Sequence, residues 1–122
     1  MRRRYAPSED WISDWAFAEP HLEEALAHDA HSTSITTVRQ FLSEGSVQLW
    51  VGTRSAALVQ PDEDLLQVWL AGGDLSELRD MMQDLAQWGK IRQFRKIVVY
   101  GRKGWQRALK MRHKWTVLEK DL

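Results

Sequence analysis

Two short segments carry the residue types most able to do chemistry. The first is Gly72-Gly73-Asp74, which closes the apolar run Leu65–Leu70 and opens an amphipathic one. A glycine turn between a strand and a helix presents backbone N–H groups that can cradle a phosphate. The same residues also suit a plain strand-to-helix turn in which Asp74 caps the helix. The second segment is Arg102-Lys103-Gly104-Trp105 with Arg107. Cations interleaved with an indole can hold a nucleotide phosphate or a nucleic-acid backbone. This segment follows a strand's C-terminal end, the side where open α/β sheets take ligands. In the alternative reading Trp105 and Leu109 pack inward while Arg102, Lys103, Gln106 and Arg107 face water.

The remaining reactive side chains are less organised. His28 and His31 are three apart with Asp29 between them, a spacing that can put two metal ligands on one helix face. No third ligand falls in register, so no metal site is predicted. Nothing resembles a nucleophile elbow, so no Ser–His–Asp triad can be nominated. Tryptophan is the compositional oddity, with seven in 122 residues. Folding a chain this size buries about two-thirds of its surface, and each indole carries ~150–250 Å². At least two should therefore stay partly exposed. Trp11 and Trp15 form one ridge at i, i+4 that either packs on a sheet or docks a partner. With Trp105 they are the interface candidates.

Positioning these residues requires a folded domain, and the composition supplies one. Hydrophobic residues make up 43% and charged residues 28%, a globular balance, read as a single domain over 1–122 in which 1–7 is a loose basic arm. The 17 basic and 17 acidic residues cancel. No global field then draws the chain to nucleic acid, although Arg2–Arg4 and the stretch Lys90–Lys114 are locally basic. Cysteine is absent, which excludes disulfides and thiolate metal sites. Met-Arg-Arg-Arg leads into polar Pro7, Ser8, Glu9 and Asp10 with no apolar signal region, and no apolar run could span a bilayer. The absence of cysteine suits a cytosolic or virion-type product, with no membrane partner.

Local signals then place the elements. Ser8 is expected to cap a first helix carrying Trp11, Ile12 and Trp15, which Pro20 ends or kinks. A second helix is expected from Pro20 to His28. A third, capped by Ser34 or Thr33, carries Ile35, Val38, Phe41 and Leu42 and stops at Gly45. Strands follow at Val47–Val51 and Ser55–Gln60 around the turn Gly52-Thr53-Arg54. Pro61-Asp62-Glu63-Asp64 is an acidic turn before the strand Leu65–Leu70. The main helix, Asp74–Trp88, presents Leu75, Leu78, Met81, Met82, Leu85 and Trp88 on one face. Strand Phe94–Tyr100, a short helix Gly104–Lys110 and strand Trp115–Leu118 complete the chain. Strand–helix–strand order implies that Leu65–Leu70 and Phe94–Tyr100 run parallel with a right-handed crossover. The fold class is α/β, with a mixed, largely antiparallel sheet flanked by helices.

This order, helix–helix–β–β–β–α–β–α–β, resembles the GCN5-related N-acetyltransferase (GNAT) family over residues 35–122. In that family two central strands splay beneath a glycine-containing loop whose N–H groups cradle the coenzyme A pyrophosphate. The resemblance matches Leu70, Ala71, Gly72 and Gly73 to the strand end and loop, with Arg102 and Lys103 supplying charge. It implies acetyl-CoA as cofactor if the family's activity is kept, and Glu63 or Asp64 as base. Two departures stand against that activity. Asp74 puts a carboxylate at the helix cap where the family leaves the terminus free for an anion. Arg102–Leu109 also lacks the Asn and the Tyr acid of the family's later helix. The segments VWLAGGDLSEL, YGRKGWQRAL and WTVLEKDL are similar to small GNAT-like proteins of tailed bacteriophages. That likeness implies a phage or prophage protein that keeps the fold; with the capped helix terminus, the missing acid and the tryptophan excess, the expectation is a non-catalytic protein without a cofactor. It would act through other phage structural or assembly proteins, or through itself, as a virion or assembly component. An active N-acetyltransferase, or a small regulator binding a host factor or nucleic acid, are the alternatives.

Overall fold

Gly52-Thr53-Arg54 turns the chain between β1 (Gln48–Val51) and β2 (Ser55–Asp62), with the Gly52 amide donating to the Ser55 carbonyl at 2.9 Å. The computed structural model describes residues 5–27, 33–100, 112–114 and 117–122. A second turn, Glu63-Asp64, sends the chain back into β3 (Leu65–Gly73), and Glu63 takes the left-handed φ of 54° that a turn this tight needs. Pro61 and Asp62 lie in β2 rather than in the turn. From β3 the chain enters α3 (Leu75–Ile91) and returns through β4 (Lys96–Tyr100), which pairs with β3 in parallel from Leu65↔Lys96 to Val68↔Val99. β6 (Val117–Asp121) pairs antiparallel with β4, and β5 (Arg112–Lys114) with β6. Among the described residues the strand order is β1-β2-β3-β4-β6-β5, with β3–β4 the single parallel pair. The sheet is mixed and largely antiparallel, as expected.

Helices cover both faces, so the central strands are apolar on both sides. Along β2, Ala57 and Val59 join Leu66, Val68, Leu78, Met81, Leu85 and Ile97 in the core under α3. Ala56 and Leu58 face the other way and join Trp15, Leu22, Val38 and Leu42 from α1 (Trp11–Leu26) and α2 (Ile35–Glu44). The limits of α2 follow its local signals. The Ser34 side chain accepts from the Thr37 amide at 3.2 Å, and Gly45 ends the helix at φ 76°.

Several expectations need correction. The two helices predicted around Pro20 are one, α1, with an exposed Pro20 inside it. Its buried stripe, Trp15, Ala18, Leu22 and Ala25, runs straight through that point. Burying it outweighs the ~3 kcal/mol that an interior proline costs. Asp10, not Ser8, caps the helix by accepting from the Ser13 amide, while the Ser8 hydroxyl bonds Asp14 at 2.6 Å. α3 runs past Trp88 to Ile91, because Gly89 serves close packing: a Cβ there would sit 2.7 Å from Leu66 Cδ1. The final strand, described over Val117–Asp121, runs past its expected end at Leu118, Trp115 and Thr116 lie outside the described residues, and β5 is an addition to the expected elements. Tyr5–Pro7, read as the end of a loose arm, are bound to β1 and α3. The predicted helix Gly104–Lys110 lies outside the described residues.

Candidate functional site

β3 changes partners halfway along. Up to Val68 it lies between β2 and β4; among the described residues, beyond Val68↔Val99 it keeps only β2, and Tyr100 pairs with β6 alone. At the same point the β2–β3 register slips, from Val59↔Val68 to Leu58↔Leu70, and Trp69 is left without a partner on β2. Such a bulge bends and twists a strand. It also reverses the alternation of faces. Leu66 and Val68 point to α3, then Trp69 and Leu70 both face α1 and α2, and Ala71 returns to the α3 side. The Trp69 ring leans on Phe41 at 5.6 Å. β3 therefore leaves β4 where its own regular ladder breaks.

Beyond the bulge lie the glycines. They do not form an open loop, because β3 includes both: Gly72 pairs with Ala56 and Gly73 with Ser55. Asp74 alone connects β3 to α3. Each glycine answers a close backbone approach. A Cβ on Gly72 would overlap the His21 carbonyl oxygen of α1, and one on Gly73 would overlap the Arg54 carbonyl oxygen. Gly73 also sits at φ 113°, a conformation that side chains disfavour.

The start of α3 is occupied by the chain itself. Asp74 Oδ1 accepts from the Glu77 amide at 2.8 Å, and Oδ2 meets Arg54 Nε at 3.3 Å. The hydrogen bond donated by the Glu77 amide, joined by Arg54, holds the Asp74 carboxyl below the usual carboxylate range. The Asp74 amide donates to the Arg54 carbonyl at 3.0 Å. An exogenous anion at this terminus would compete with a fixed carboxylate for the same donors.

Glu77, one turn into α3, is the residue the sequence reading passed over. Its side chain is buried at 3% exposure and gathers the hairpin turn. Thr53 donates from its amide at 3.0 Å and its hydroxyl at 2.7 Å, Arg54 from its amide at 2.8 Å, and the Ser55 hydroxyl also donates. The Tyr5 hydroxyl adds a fifth bond at 3.1 Å. Burial by itself would raise the Glu77 pKa, but the bonds from Ser55, Thr53 and Arg54 overcome it and lower it to about 2. The signal available in the sequence was Asp74-x-x-Glu77, a capping-box spacing. Here the carboxylate turns outward to a neighbouring hairpin instead of back to the cap.

The other nominated residues fall as follows. Leu70 and Ala71 are buried beside the bulge. Glu63 and Asp64 are exposed at the opposite end of β3 from the glycines, roughly 25 Å away by strand rise, and Asp64 pairs with Arg95 at 3.0 Å. They are not brought together with Gly72 and Gly73. Trp15 is buried, with its indole N–H on Glu19 and Trp11 edge-on at 6.1 Å, and only Trp11 of this pair is partly exposed. Arg102, Lys103, Trp105, Arg107, His28, His31 and Arg2–Arg4 lie outside the described residues. Among the described residues no cluster of His, Asp or Glu could hold a metal ion, and no helix is long and apolar enough to cross a membrane.

No family model matches this chain, and no curated protein matches it in sequence. Solved structures do match it in shape. Tetrahymena GCN5 is similar with a TM-score of 0.66 at 6% identity, covering 99% of this chain and 96% of that one. PaiA N-acetyltransferase from Thermoplasma acidophilum, solved in complex with coenzyme A, is similar with a TM-score of 0.57 at 9% identity, covering 100% of both chains. Identities this low speak for the fold alone. The mixed sheet with its single parallel pair, parting at Val68↔Val99 and covered by helices on both faces, is a GNAT-like fold.

Proposed function

We propose that this GNAT-like protein works by binding other proteins and does not transfer acetyl groups. One observation carries the reading: the β3–α3 junction, where the fold would seat a pyrophosphate, is filled by the chain's own groups. Gly72 and Gly73 belong to the β2–β3 ladder and abut the carbonyls of His21 and Arg54, and the Asp74 carboxylate takes the helix terminus. An incoming diphosphate would meet a like charge within a few ångströms, a repulsion of roughly 1–4 kcal/mol at surface dielectrics. The junction therefore does not fit coenzyme A. The likeness of three segments to small phage proteins favours a virion or assembly component of a bacteriophage, acting in the host cytoplasm or packaged.

Isothermal titration with acetyl-CoA is the test. No heat at millimolar cofactor is the expected result, and micromolar binding would overturn the reading. A second reading, an active acetyl-CoA-dependent N-acetyltransferase, draws support from the parting of β3 and β4 and from the likeness to PaiA, which was solved with coenzyme A. In that reading Gly72 and Gly73 hold the cofactor, helped by Arg102 or Lys103. Micromolar binding together with turnover of an amine acceptor would select it.

A further inference from the structure

The outward face of α1 is both apolar and acidic. Ile12, Ala16 and Pro20 recur at every fourth position and are exposed, so they form a row along the helix. Phe17 stands beside that row, tilted on His21 at 5.2 Å. Ile12 is 67% and Phe17 39% exposed, two of the four large apolar side chains that solvent reaches this freely among the described residues. Ser13 and Ala16 lie between them and are small, so Ile12 and Phe17 rise on either side of a low floor. The charges around this floor have one sign. From Tyr5 to Leu26 the chain has no lysine or arginine, but it has Glu9, Asp10, Asp14, Glu19, Glu23 and Glu24. Glu23 is exposed on the same arc as Ile12, three turns further along. Pro20 adds an acceptor, because without an N–H it leaves the Ala16 carbonyl no donor four residues on. Arg39 of α2 meets α1 on its other side, over the Trp15 ring at 5.9 Å.

We infer that this face docks a cationic amphipathic helix of a partner protein. The inference rests on the protein-binding half of the proposed function and gives that partner a chemistry. Aliphatic side chains of the incoming helix fill the floor between Ile12 and Phe17, as ridges fill grooves between packed helices. Its lysines or arginines lie along the carboxylates, which supplies specificity and a fast encounter. The same charge turns other occupants away. An acidic membrane or a nucleic acid would meet like charge across the whole face. So would the α1 of a second copy. The chain's own described cations near the end of α3 are already engaged, Arg95 by Asp64 at 3.0 Å and Arg92 by the Trp88 ring at 4.2 Å.

The probe is a synthetic amphipathic helix with one leucine face and one lysine face, titrated into the full chain and followed by amide NMR. Shifts should concentrate on Ile12–Glu24, and a matched peptide with glutamate in place of lysine should cause none. Ile12→Ser/Glu23→Lys, at two exposed positions, should bind the lysine peptide about tenfold or more weakly. Glu44→Lys makes the same change of charge at the exposed end of α2 and should bind as the parent does. Shifts centred on other elements overturn the inference. So do equal affinity of the double variant and the parent, an equal loss in Glu44→Lys, or binding of the glutamate peptide. Self-association of the parent that the double variant abolishes makes a second copy the occupant and overturns it as well. The shift map needs no variant, so it decides the matter if the double variant does not fold. A peptide that misses α1 while acetyl-CoA gives no heat overturns the docking site alone. Micromolar acetyl-CoA binding with the peptide still on α1 overturns the absence of acetyl transfer and leaves the docking site standing.

Discussion

Glu77 ties together three parts of the chain that are distant in sequence: Tyr5, the β1–β2 turn and the first turn of α3. Its pKa, lowered from 4.5 to about 2, makes that tie dependent on pH. A depressed folded pKa means the unfolded chain takes the proton first. The contribution of Glu77 is therefore complete above about pH 4.5 and is lost as the pH falls toward 2, an effect of about 3 kcal/mol by linkage. Urea midpoints should drop across that window in the parent chain and change much less in Glu77→Gln. Glu77→Ala should cost about 3–5 kcal/mol at neutral pH, because it strands buried donors. Gly52→Ala should reproduce much of the loss, since its Cβ would overlap the Glu77 carboxylate. Asp74 was legible in the sequence because capping depends on neighbours three residues away. The role of Glu77 was not, because its partners Thr53–Ser55 come from a different hairpin.

At the scale of elements, the same division between local and distant causes decides what could be read. α2, the start of α3 and the β1–β2 hairpin follow from caps, glycines and periodicity within a few residues. Pro20 misleads because its local cost is real; a sheet to bury Trp15, Ala18, Leu22 and Ala25 against is what carries the helix through. Pro20→Ala should therefore raise stability by about 1–3 kcal/mol, as an exposed interior proline gives way to the best helix former. A thermal melt that falls instead would mean the proline shapes α1 for the sheet. The end of β3 was equally hidden, because the bulge at Trp69 breaks the alternation that marks a strand and the glycines look like a loop. In the fold they are where α1 and the β2 start press closest. Gly72→Ala should lose about 1–3 kcal/mol, the usual range for forcing a methyl group into a packed site. The clash is with the His21 backbone, which cannot swing aside as a side chain would.

For the whole molecule, the α/β class, the parallel pairing of β3 with β4 and the GNAT-like order were legible, because a strand–helix–strand sequence leaves few topologies open. What the sequence could not reveal is how completely the sheet divides the interior. Trp50 and Trp88 lie with α3, ring centroids 5.8 Å apart, while Trp11, Trp15 and Trp69 lie with α1 and α2. Each face thus carries its own fluorophores. With Trp105 and Trp115 changed to Phe in both variants, changing Trp11, Trp15 and Trp69 leaves the indoles of the α3 side as the light source, and changing Trp50 and Trp88 leaves those of the other side. The two emission signals, referred to each variant's circular dichroism, should report one shared transition if the six strands melt as a unit. Two separated midpoints would mean that one layer of helices can leave while the sheet still holds the other. The chain thereby contains a pair of optical gauges, one on each side of its own midplane.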